Sequence, residues 1–267
     1  MIPGVRTIAF VKATACGNDF FLIDSSLVPP RERGEVTRKI CDRHKGVGAD
    51  GVEWMLPHSS ADIEVHLINA DGSEAEISGN GTRCVAAYLF SEQGKEKITI
   101  QTGAGLKTCM LTSRSDWEYE FEMAMGTAEV NKELVFQTQA LEIRGIPVST
   151  GNPHYVIFVE QFPNDWQSLA AEVQRSSQFP HGVNVEFVKV QGKHDLRARF
   201  FERGAGETQS SGTGSCASAA AAMSTGRAES PVKVHAPGGT QSVRSEGKEV
   251  YLRGPARLLC GGQFFLT

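Results

Sequence analysis

The sequence lacks the long apolar run and the strong charge that mark several classes of protein. Its 27 basic and 31 acidic side chains leave a formal net charge of −4 over 267 residues, so it has no basic footprint for nucleic acid. Its hydrophobic content of 40% is ordinary for a folded chain and argues against disorder. The alanine-rich stretch 217–223 is far shorter than the roughly 20 residues that cross a bilayer. We therefore expect a folded protein that binds neither nucleic acid nor membrane.

Signals for secretion, disulfides and metal binding are also missing. Residues 1–6 hold no charged segment followed by an apolar one, so we expect no secretory signal and a cytoplasmic location. No two cysteines have C-x-x-C spacing, and none lies at zinc-like spacing from another ligand type. We expect reduced, mostly buried thiols and no metal site. The cysteines are Cys16, Cys41, Cys84, Cys109, Cys216 and Cys260.

Alternating and helical hydrophobic patterns are both present, which predicts an α/β (α+β) fold. Strands are predicted at 7–11, 20–24, 63–69, 97–101, 118–123, 155–159, 185–190, 197–201, 232–235 and 249–253. Helices are predicted at 36–42, 82–91, 166–176 and 215–225, and a loop at 43–51.

An internal repeat divides the chain near its midpoint. Residues 74–81 read EAEISGNG and residues 207–214 read ETQSSGTG, so Glu, Ser, Gly and Gly recur at the same offsets. Each block runs into an apolar, alanine-containing stretch, and Ser211 follows Ser78 by 133 residues, half the chain length. The repeat predicts two similar α/β halves that join near residues 125–130. Each half then carries one glycine-rich loop at a helix N-terminus.

A Ser-Gly-x-Gly loop at a helix N-terminus suits an anion such as a carboxylate or phosphate. It offers backbone N–H groups without helical partners and the positive end of the helix dipole. One such loop is also an ordinary capped helix start. Two copies favour a pair of loops that place one reactive side chain on each face of a small anionic substrate. Inversion at an acidic carbon needs that arrangement, because one group removes a proton while an opposed group delivers one.

Together with these loops, further motifs resemble the diaminopimelate epimerase family. They are Gly-Asn-Asp-Phe at 17–20, Asp-Arg-His at 42–44, Gly-Ala-Asp-Gly at 48–51, Asn-Ala-Asp-Gly-Ser-Glu-Ala-Glu at 69–76, Gly-Asn-Gly-Thr-Arg-Cys at 79–84, Gly-Asn-Pro-His at 151–154, Asn-Val-Glu-Phe at 184–187, Glu-Arg-Gly-Ala-Gly-Glu-Thr at 202–208 and Gly-Thr-Gly at 212–214. The resemblance covers essentially the whole chain.

The resemblance implies a fold and an activity. The fold has two pseudo-symmetric halves, 1–125 and 126–256, each a mixed β-barrel around a central helix, with the active site in the cleft between them. Residues 257–267 are expected to return to the first half. The activity is cofactor-independent epimerisation of LL-diaminopimelate to meso-diaminopimelate for lysine and peptidoglycan biosynthesis. A cytoplasmic homodimer with no cofactor and no metal is implied as well.

The resemblance also assigns roles to residues. Arg203 binds the distal carboxylate, since a guanidinium is always charged and contacts two oxygens, and Asn69 and Asn184 bind the same end. Backbone N–H groups at the two helix starts hold the reacting carboxylate as the α-proton leaves. His154 and Glu202 tune the two acid/base groups. The implied substrate-binding set is Asn18, Asn69, Gly79, Asn80, Asn152, Asn184, Glu202, Arg203, Gly212 and Thr213.

Plainer roles stay open for several of these residues. Asn18 and Asn152 are also plausible turn residues. Glu202 and Arg203 are also compatible with an exposed surface pair, and His154 with a structural histidine in a strand.

The family runs its reaction with two cysteines, one in each loop, and this sequence has Ser78 and Ser211 there. A thiol has a pKa near ~8.5, whereas a serine hydroxyl ionises closer to the ~15.7 of water, a gap on the order of 10 kcal/mol. Serine acts only if a neighbouring base shares the proton, and His154 and Glu202 are the candidates. Cys84 and Cys216 lie further on, in the following helices, and are not expected to replace the missing thiols.

Three explanations of the serines are compatible with the sequence. They are engineered replacements of cysteine, or the chain is a natural isomerase, for diaminopimelate or another amino acid, with hydroxyl-assisted acid/base chemistry. Alternatively, the chain is a non-catalytic amino-acid-binding protein that has kept the pocket. Residues 13–16 and 166–177 also depart from the family pattern.

Overall fold

A computed structural model describes residues 6–137 and 142–266 and separates the chain into two compact units. The first unit holds the described residues up to Met123 and those from Gly254 onward, and the second runs from Ala124 to Arg253. Residues 1–5, which contribute to the expectation of no secretory signal, lie outside the described residues. Within the described ranges no helix is long and apolar enough to cross a membrane.

Strands dominate both units. In chain order they are β1 (Arg6–Ala15), β2 (Asn18–Asp24), β3 (Gly51–Leu56), β4 (Ile63–Asn69), β5 (Glu74–Ala75), β6 (Lys97–Thr102), β7 (Gly105–Ser115), β8 (Glu118–Thr127), β9 (Glu129–Val130), β10 (Leu134–Gln137), β11 (Glu142–Ser149), β12 (Pro153–Phe158), β13 (Asn184–Gly192), β14 (Asp195–Glu202), β15 (Gly206–Thr208), β16 (Val232–Ala236), β17 (Gly239–Glu246) and β18 (Glu249–Leu266). The α-helices are α1 (Pro30–Cys41), α2 (Gly79–Gln93), α3 (Trp166–Gln174) and α4 (Gly212–Ser224), and a 3₁₀ turn covers Ser25–Leu27.

The strand pairings of the first unit close into a ring. β1 is antiparallel to β2, β2 is parallel to β3 across α1, β3 is antiparallel to β4, and β4 is parallel to β6 across α2. β6, β7 and β8 follow as antiparallel neighbours, β8 pairs with β18, and β18 is antiparallel to β1. A sheet closed on itself in this way is a mixed β-barrel.

The second unit repeats the order of pairings. β11 is antiparallel to β12, β12 is parallel to β13 across α3, β13 is antiparallel to β14, and β14 is parallel to β16 across α4. β16, β17 and β18 follow as antiparallel neighbours, and β9 pairs with the other side of β11. The predicted α/β class is therefore confirmed, and the same strand–helix sequence occurs once in each unit.

Each unit buries one helix on nearly all sides. In α2 every residue from Asn80 to Ala87 is buried, and in α4 every residue from Gly214 to Ala222. An ordinary surface helix buries only one stripe, so these unbroken runs mark enclosed helices. α2 contacts β1, β2 and β6, and α4 contacts strands from β9 to β17. The small side chains of α4 suit this enclosure, because they let the surrounding strands approach closely.

A second helix in each unit packs on an apolar cluster of its own. α1 buries Val36 and Ile40 in a cluster with residues of β1, β2 and β3. α3 buries Trp166, Ala170 and Val173 in a cluster with residues of β12 and β13. All six cysteines are free thiols, five of them buried and Cys260 exposed.

The elements differ from the predicted ones where the hydrophobic pattern is not periodic. α1 begins at Pro30, earlier than the predicted start at 36, because proline is favoured in the first turn of a helix. β3 was missed, since its first four residues are all buried and show no alternation. β7, β11 and β17 were also missed. β8 runs on to Thr127, so part of the predicted junction at 125–130 is strand.

Candidate active site

The first glycine-rich loop begins α2. Ser78 is the N-cap residue, with extended backbone (φ −120°, ψ 119°), and its Oγ accepts the N–H of Gly81 at 3.1 Å. Gly79 and Asn80 occupy the first two positions of the helix, at the positive end of its dipole. The hydroxyl oxygen of Ser78 therefore lies at the positive end of α2.

The second loop begins α4 in the same way. Ser211 is the N-cap residue (φ −140°, ψ 127°), and its Oγ accepts the N–H of Gly214 at 3.1 Å. Gly212 and Thr213 are the first two residues of the helix. Ser211 is buried, whereas Ser78 is half-buried. The repeat found in the sequence thus corresponds to the same cap geometry in both units.

A chain of amide hydrogen bonds leads away from the first loop. Asn80 Nδ2 donates to Asn18 Oδ1 at 2.7 Å, and Asn18 Nδ2 donates to Asp50 Oδ2 at 3.0 Å. The carboxylate of Asp50 is itself paired with Arg43 at 2.9 Å. Asn69, by contrast, donates to Ser73 Oγ at 3.0 Å and fixes the turn between β4 and β5. The structure therefore joins Asn18 to the loop and gives Asn69 a different partner.

A fully buried guanidinium holds the start of α2 in place. Arg83 donates from Nη1 to the Gly79 carbonyl at 3.1 Å, from Nε to the Pro255 carbonyl at 3.2 Å, and from Nη2 to Asn80 Oδ1. Nη2 also lies 3.8 Å from the sulfur of Cys16. Hydrogen bonds from a charged donor are the strong ones, so this clamp fixes the positions of Gly79 and Asn80.

A buried carboxyl lies directly against the first loop. Glu53 of β3 is 1% exposed, and its Oε1 has no hydrogen-bond partner among the residues that the structure describes. A Cβ placed on Gly81 would lie 2.9 Å from Glu53 Cδ and 3.3 Å from Ser78 Cβ. The carboxyl therefore lies against Gly81, the residue whose N–H bonds to the hydroxyl oxygen of Ser78. Burial raises the pKa of Glu53 to about 8.

The second unit has a carboxyl at the matching place, with an imidazole added. Glu186 of β13 is buried, and a Cβ on Gly214 would lie 3.0 Å from its Oε1. The same Oε1 lies 2.7 Å from Nδ1 of the buried His154. Burial raises the pKa of Glu186, while the charge and hydrogen bond of His154 oppose that rise and the charge of Glu202 adds to it.

The partners of His154 fix where its protons lie. Nε2 is 2.9 Å from Asn152 Oδ1, which also accepts the hydroxyl of Thr150 at 3.3 Å. An amide oxygen only accepts, so Nε2 carries a hydrogen. Nδ1 faces the carboxyl of Glu186, the other hydrogen-bond partner of the ring. His154, Asn152 and Glu186 form one connected group behind the start of α4.

Asn184 ties three strand ends together. Its Nδ2 donates to the Pro153 carbonyl at 3.1 Å, and its Oδ1 accepts the backbone N–H of Arg203 at 2.9 Å. The side chain of Arg203 is exposed, and its Nη1 donates to the His181 carbonyl at 2.7 Å. Glu202, half-buried at the end of β14, completes the predicted set in this unit.

Two of the groups at the site, Glu53 and Glu186, were given no role by the sequence. Glu186 lies within the Asn-Val-Glu-Phe motif, and it follows Glu53 by 133 residues, the separation of Ser78 and Ser211. Counting back by the repeat separation from Glu186 leads to Glu53, so the repeat is the sequence signal that could have identified this carboxyl. The histidine is not repeated. In the second unit His154 pairs across the strands with Asn184, two residues before Glu186. In the first unit Phe20 pairs with Gly51, two residues before Glu53, and so takes the place of the histidine.

Comparisons with known proteins show which family the chain belongs to. The sequence pattern described as diaminopimelate epimerase matches residues 10–131 and 146–259. The chain belongs to the diaminopimelate epimerase family. The diaminopimelate epimerase of Desulfitobacterium hafniense is 36% identical over 273 residues, covering 94% of this chain and 96% of its own. That of Methanothrix thermoacetophila is 38% identical over 272 residues, covering 97% and 96%.

Membership of the diaminopimelate epimerase family assigns the chain to the isomerases and confirms the resemblance found in the sequence. Solved structures extend the likeness of fold. A PhzF-family phenazine biosynthesis protein of Bacillus anthracis gives a TM-score of 0.73 at 18% identity, covering 96% of this chain and 98% of its own. A hydroxyproline epimerase of Agrobacterium vitis gives 0.71 at 18% identity, covering 98% and 93%. At these identities the two structures show a shared fold alone.

Within the described residues of this family member, no group of three or more His, Cys, Asp or Glu side chains is arranged to hold a metal ion. Cys84 and Cys216 lie inside α2 and α4 and are buried. Burial raises the pKa of the Cys84 thiol well above its usual range. A buried thiol of raised pKa is unreactive, so the hydroxyls of Ser78 and Ser211 stay the candidate acid/base groups.

Proposed function

We propose that the chain binds LL-diaminopimelate and epimerises it to meso-diaminopimelate without a cofactor. One observation carries the proposal: Ser78 and Ser211 cap two enclosed helices with the same geometry, at the positions where the resemblance places the family's catalytic cysteines. Family membership supports the substrate, and the repeated caps support one acid/base group for each face of the α-carbon.

The reaction breaks the α-carbon–hydrogen bond on one face and forms a new one on the other. Between the two steps the electron pair left on carbon is delocalised into the neighbouring carboxylate. Backbone N–H groups at helix starts stabilise such developing charge, because they are fixed in place and lie at the positive end of a dipole. We assign this role to the N–H groups of Gly79, Asn80, Gly212 and Thr213.

The distal end of the substrate is assigned to Arg203, with Asn69 and Asn184 as further polar contacts. The exposed guanidinium suits a carboxylate that it can contact through two oxygens. Asn184 supports it by fixing the backbone N–H of Arg203 relative to the start of β12. Asn18 and Asn152, which bond to Asn80 and His154, are assigned to the amino end.

Serine limits the rate of this reaction. A free alkoxide lies on the order of 10 kcal/mol above a thiolate, so each hydroxyl must pass its proton to a neighbour as it takes the proton of the substrate. His154 and Glu186 supply a neighbour in the second unit, with Glu202 near them. We expect turnover that is measurable but slower than that of a cysteine enzyme.

A non-catalytic amino-acid-binding protein is the second candidate, and the serines favour it. The binding residues would hold the same ligand, while the weak acidity of the hydroxyls would prevent exchange of the α-proton. A racemase for another amino acid differs from both, because Arg203, Asn69 and Asn184 would then contact a different distal group and diaminopimelate would bind weakly. Engineered serines would be recognised by sequencing codons 78 and 211 of the source gene.

Proton exchange tests the proposal. The protein and its Ser78→Cys/Ser211→Cys variant are incubated with LL-diaminopimelate in deuterated water, loss of the α-proton signal is followed by NMR, and binding is measured by calorimetry. We expect slow exchange in the parent and faster exchange in the variant. If the parent binds saturably without exchange and the variant exchanges, the chain is a non-catalytic amino-acid-binding protein. If neither the parent nor the variant binds diaminopimelate, the proposed substrate is wrong.

We further propose a cytoplasmic homodimer that serves lysine and peptidoglycan biosynthesis, as the resemblance implies. Sedimentation equilibrium at several protein concentrations tests the assembly. A mass of one chain at every concentration would contradict the dimer.

A further inference from the structure

We infer that Glu53 is the proton-holding partner of Ser78: its buried carboxyl gives a proton to, and takes a proton from, the serine hydroxyl through one bridging water during epimerisation. Glu53 acts through Ser78 and does not itself touch the substrate. The inference rests on the proposed function and adds the group that lets a hydroxyl work in the first unit.

The position of Glu53 is the first argument. Its Oε1 has no hydrogen-bond partner among the described residues, although the side chain is 1% exposed. It contacts Gly81, whose N–H is the donor to Ser78 Oγ. A buried carboxyl without a partner costs free energy, so such a group is expected where it has a chemical role.

Recurrence is the second argument. Glu186 contacts Gly214, whose N–H is the donor to Ser211 Oγ, so serine, glycine and glutamate form the same constellation in each unit. The second copy is joined to His154. A carboxyl placed by chance during packing would not be expected beside both helix caps.

The surroundings of Glu53 contain few charges. In strand register it pairs with Leu22 of β2 and Leu67 of β4, both apolar and buried. Two residues of α2 face Glu53. One is Cys84, whose thiol pKa is raised by the charge of Glu53. The other is Arg83, whose guanidinium bonds to the start of the helix. Burial is the one cause acting on its pKa, which lies at about 8, so near neutral pH the carboxyl carries a proton.

Each proton transfer balances between these groups, and exchange with solvent returns Glu53 to its starting protonation state after turnover. When the α-carbanion is protonated, the Ser78 O–H bond breaks as a new carbon–hydrogen bond forms, and the O–H bond of Glu53 breaks to restore the hydroxyl. Glu53 ends as a carboxylate and the serine is unchanged. In the reverse direction the α-carbon–hydrogen bond breaks, its proton passes to Oγ, and the hydroxyl proton passes to the carboxylate. Serine is therefore never a free alkoxide.

Kinetics in two backgrounds test this role. Glu53→Gln keeps the size of the side chain and removes the proton, so we expect kcat in the parent to fall by about a hundredfold with KM unchanged. The alkaline limb that Glu53 gives to the pH profile should disappear as well. In the Ser78→Cys background the same change should cost much less, since a thiol ionises without help. Equal losses in both backgrounds would show a purely structural role and overturn the inference.

A second measurement does not depend on turnover. In the Ser78→Cys variant the introduced thiol is titrated by the pH dependence of its alkylation, with the parent as the control for exposed Cys260. A thiol beside a titrating carboxyl loses its proton in two coupled steps. We expect a single step in Ser78→Cys/Glu53→Gln, with the thiol pKa lower by about one unit. Identical titrations in the two variants overturn the role of Glu53, whereas coupled titration without diaminopimelate binding overturns only the proposed substrate.

Discussion

Gly81 of α2 and Glu53 of β3 lie so close together that a methyl group on the glycine would overlap the carboxyl. The contact joins a helix cap to a strand that is buried on both faces. It also explains why a residue of low helix propensity stands in the first turn of an enclosed helix, since no other residue leaves room for the carboxyl.

The first prediction follows from that contact. Alanine normally stabilises a helix relative to glycine, but Gly81→Ala should lower the free energy of unfolding by about 1 to 3 kcal/mol because the carboxyl must move. Urea denaturation measures the change. Gly79→Ala is the matched control, because nothing lies within 4 Å of a Cβ there. When Glu53→Ala is already present, Gly81→Ala should cost far less unfolding free energy, because the carboxyl is gone. A cost as large as in the parent would contradict the clash.

The second prediction concerns pH. The pKa of Glu53 is raised from its ordinary 4.5 to about 8, so the folded state binds a proton that the unfolded state has lost in that window. The contribution of Glu53 to stability is full below the lower value and is lost as pH rises through the upper one. Relative to Glu53→Gln, the parent should lose about 1.4 kcal/mol of unfolding free energy per pH unit across the window. A difference that stays constant with pH would contradict the raised pKa.

The third prediction uses the difference between the two units. His154→Phe places in the second unit the residue type that Phe20 supplies in the first. Glu186 then lacks its imidazole partner, and its pKa should rise further because burial is no longer opposed. Stability should fall most at alkaline pH, by about 3 kcal/mol, where the carboxylate is charged and unpaired.

Denaturation curves at several pH values, recorded for the parent, His154→Phe and His154→Phe/Glu186→Gln, separate these effects. The double variant should recover the alkaline loss. A loss of equal size at every pH would indicate a packing defect instead of an unpaired charge.

The fourth prediction tests the assigned role of Arg203. Arg203→Ala should weaken binding of diaminopimelate by about 1.5 to 3 kcal/mol, the range for hydrogen bonds to a charged group, and should hardly alter stability because the side chain is exposed. Calorimetric titration gives the affinity. Arg197→Ala, which removes an exposed arginine of β14, the strand that ends just before Arg203, is the control for loss of a positive charge. Equal affinities for the two variants would remove Arg203 from the distal end.

The hydrophobic pattern of the sequence predicted the strands and helices whose buried positions recur with a regular period. It did not predict elements without such a period. The alternation over Ile63–Asn69 gave β4 with its observed bounds, and the repeat placed both Ser-Gly-x-Gly loops at the starts of α2 and α4. β3 is not predicted, because its four consecutive buried residues show no alternation.

The environment of Glu53 was beyond sequence reasoning for a related reason. Its burial depends on Leu22 and Leu67, which strand pairing brings from distant parts of the chain. The clamp of Arg83 likewise needs the Pro255 carbonyl. Single charged residues carry no periodic signal, so their surroundings become visible only when the strands have been paired.

The clamp of Arg83 on Pro255 has a consequence for synthesis of the protein on the ribosome. Its two residues are separated by 172 positions, and β1 pairs with β18, the strand farthest from it along the described residues. The second unit is one continuous segment and can close while the chain is still being made. The first unit must wait for β18 to emerge. The helix start that carries Ser78 is therefore completed only after β18 has been made, and the strands made before it must stay unaggregated until then.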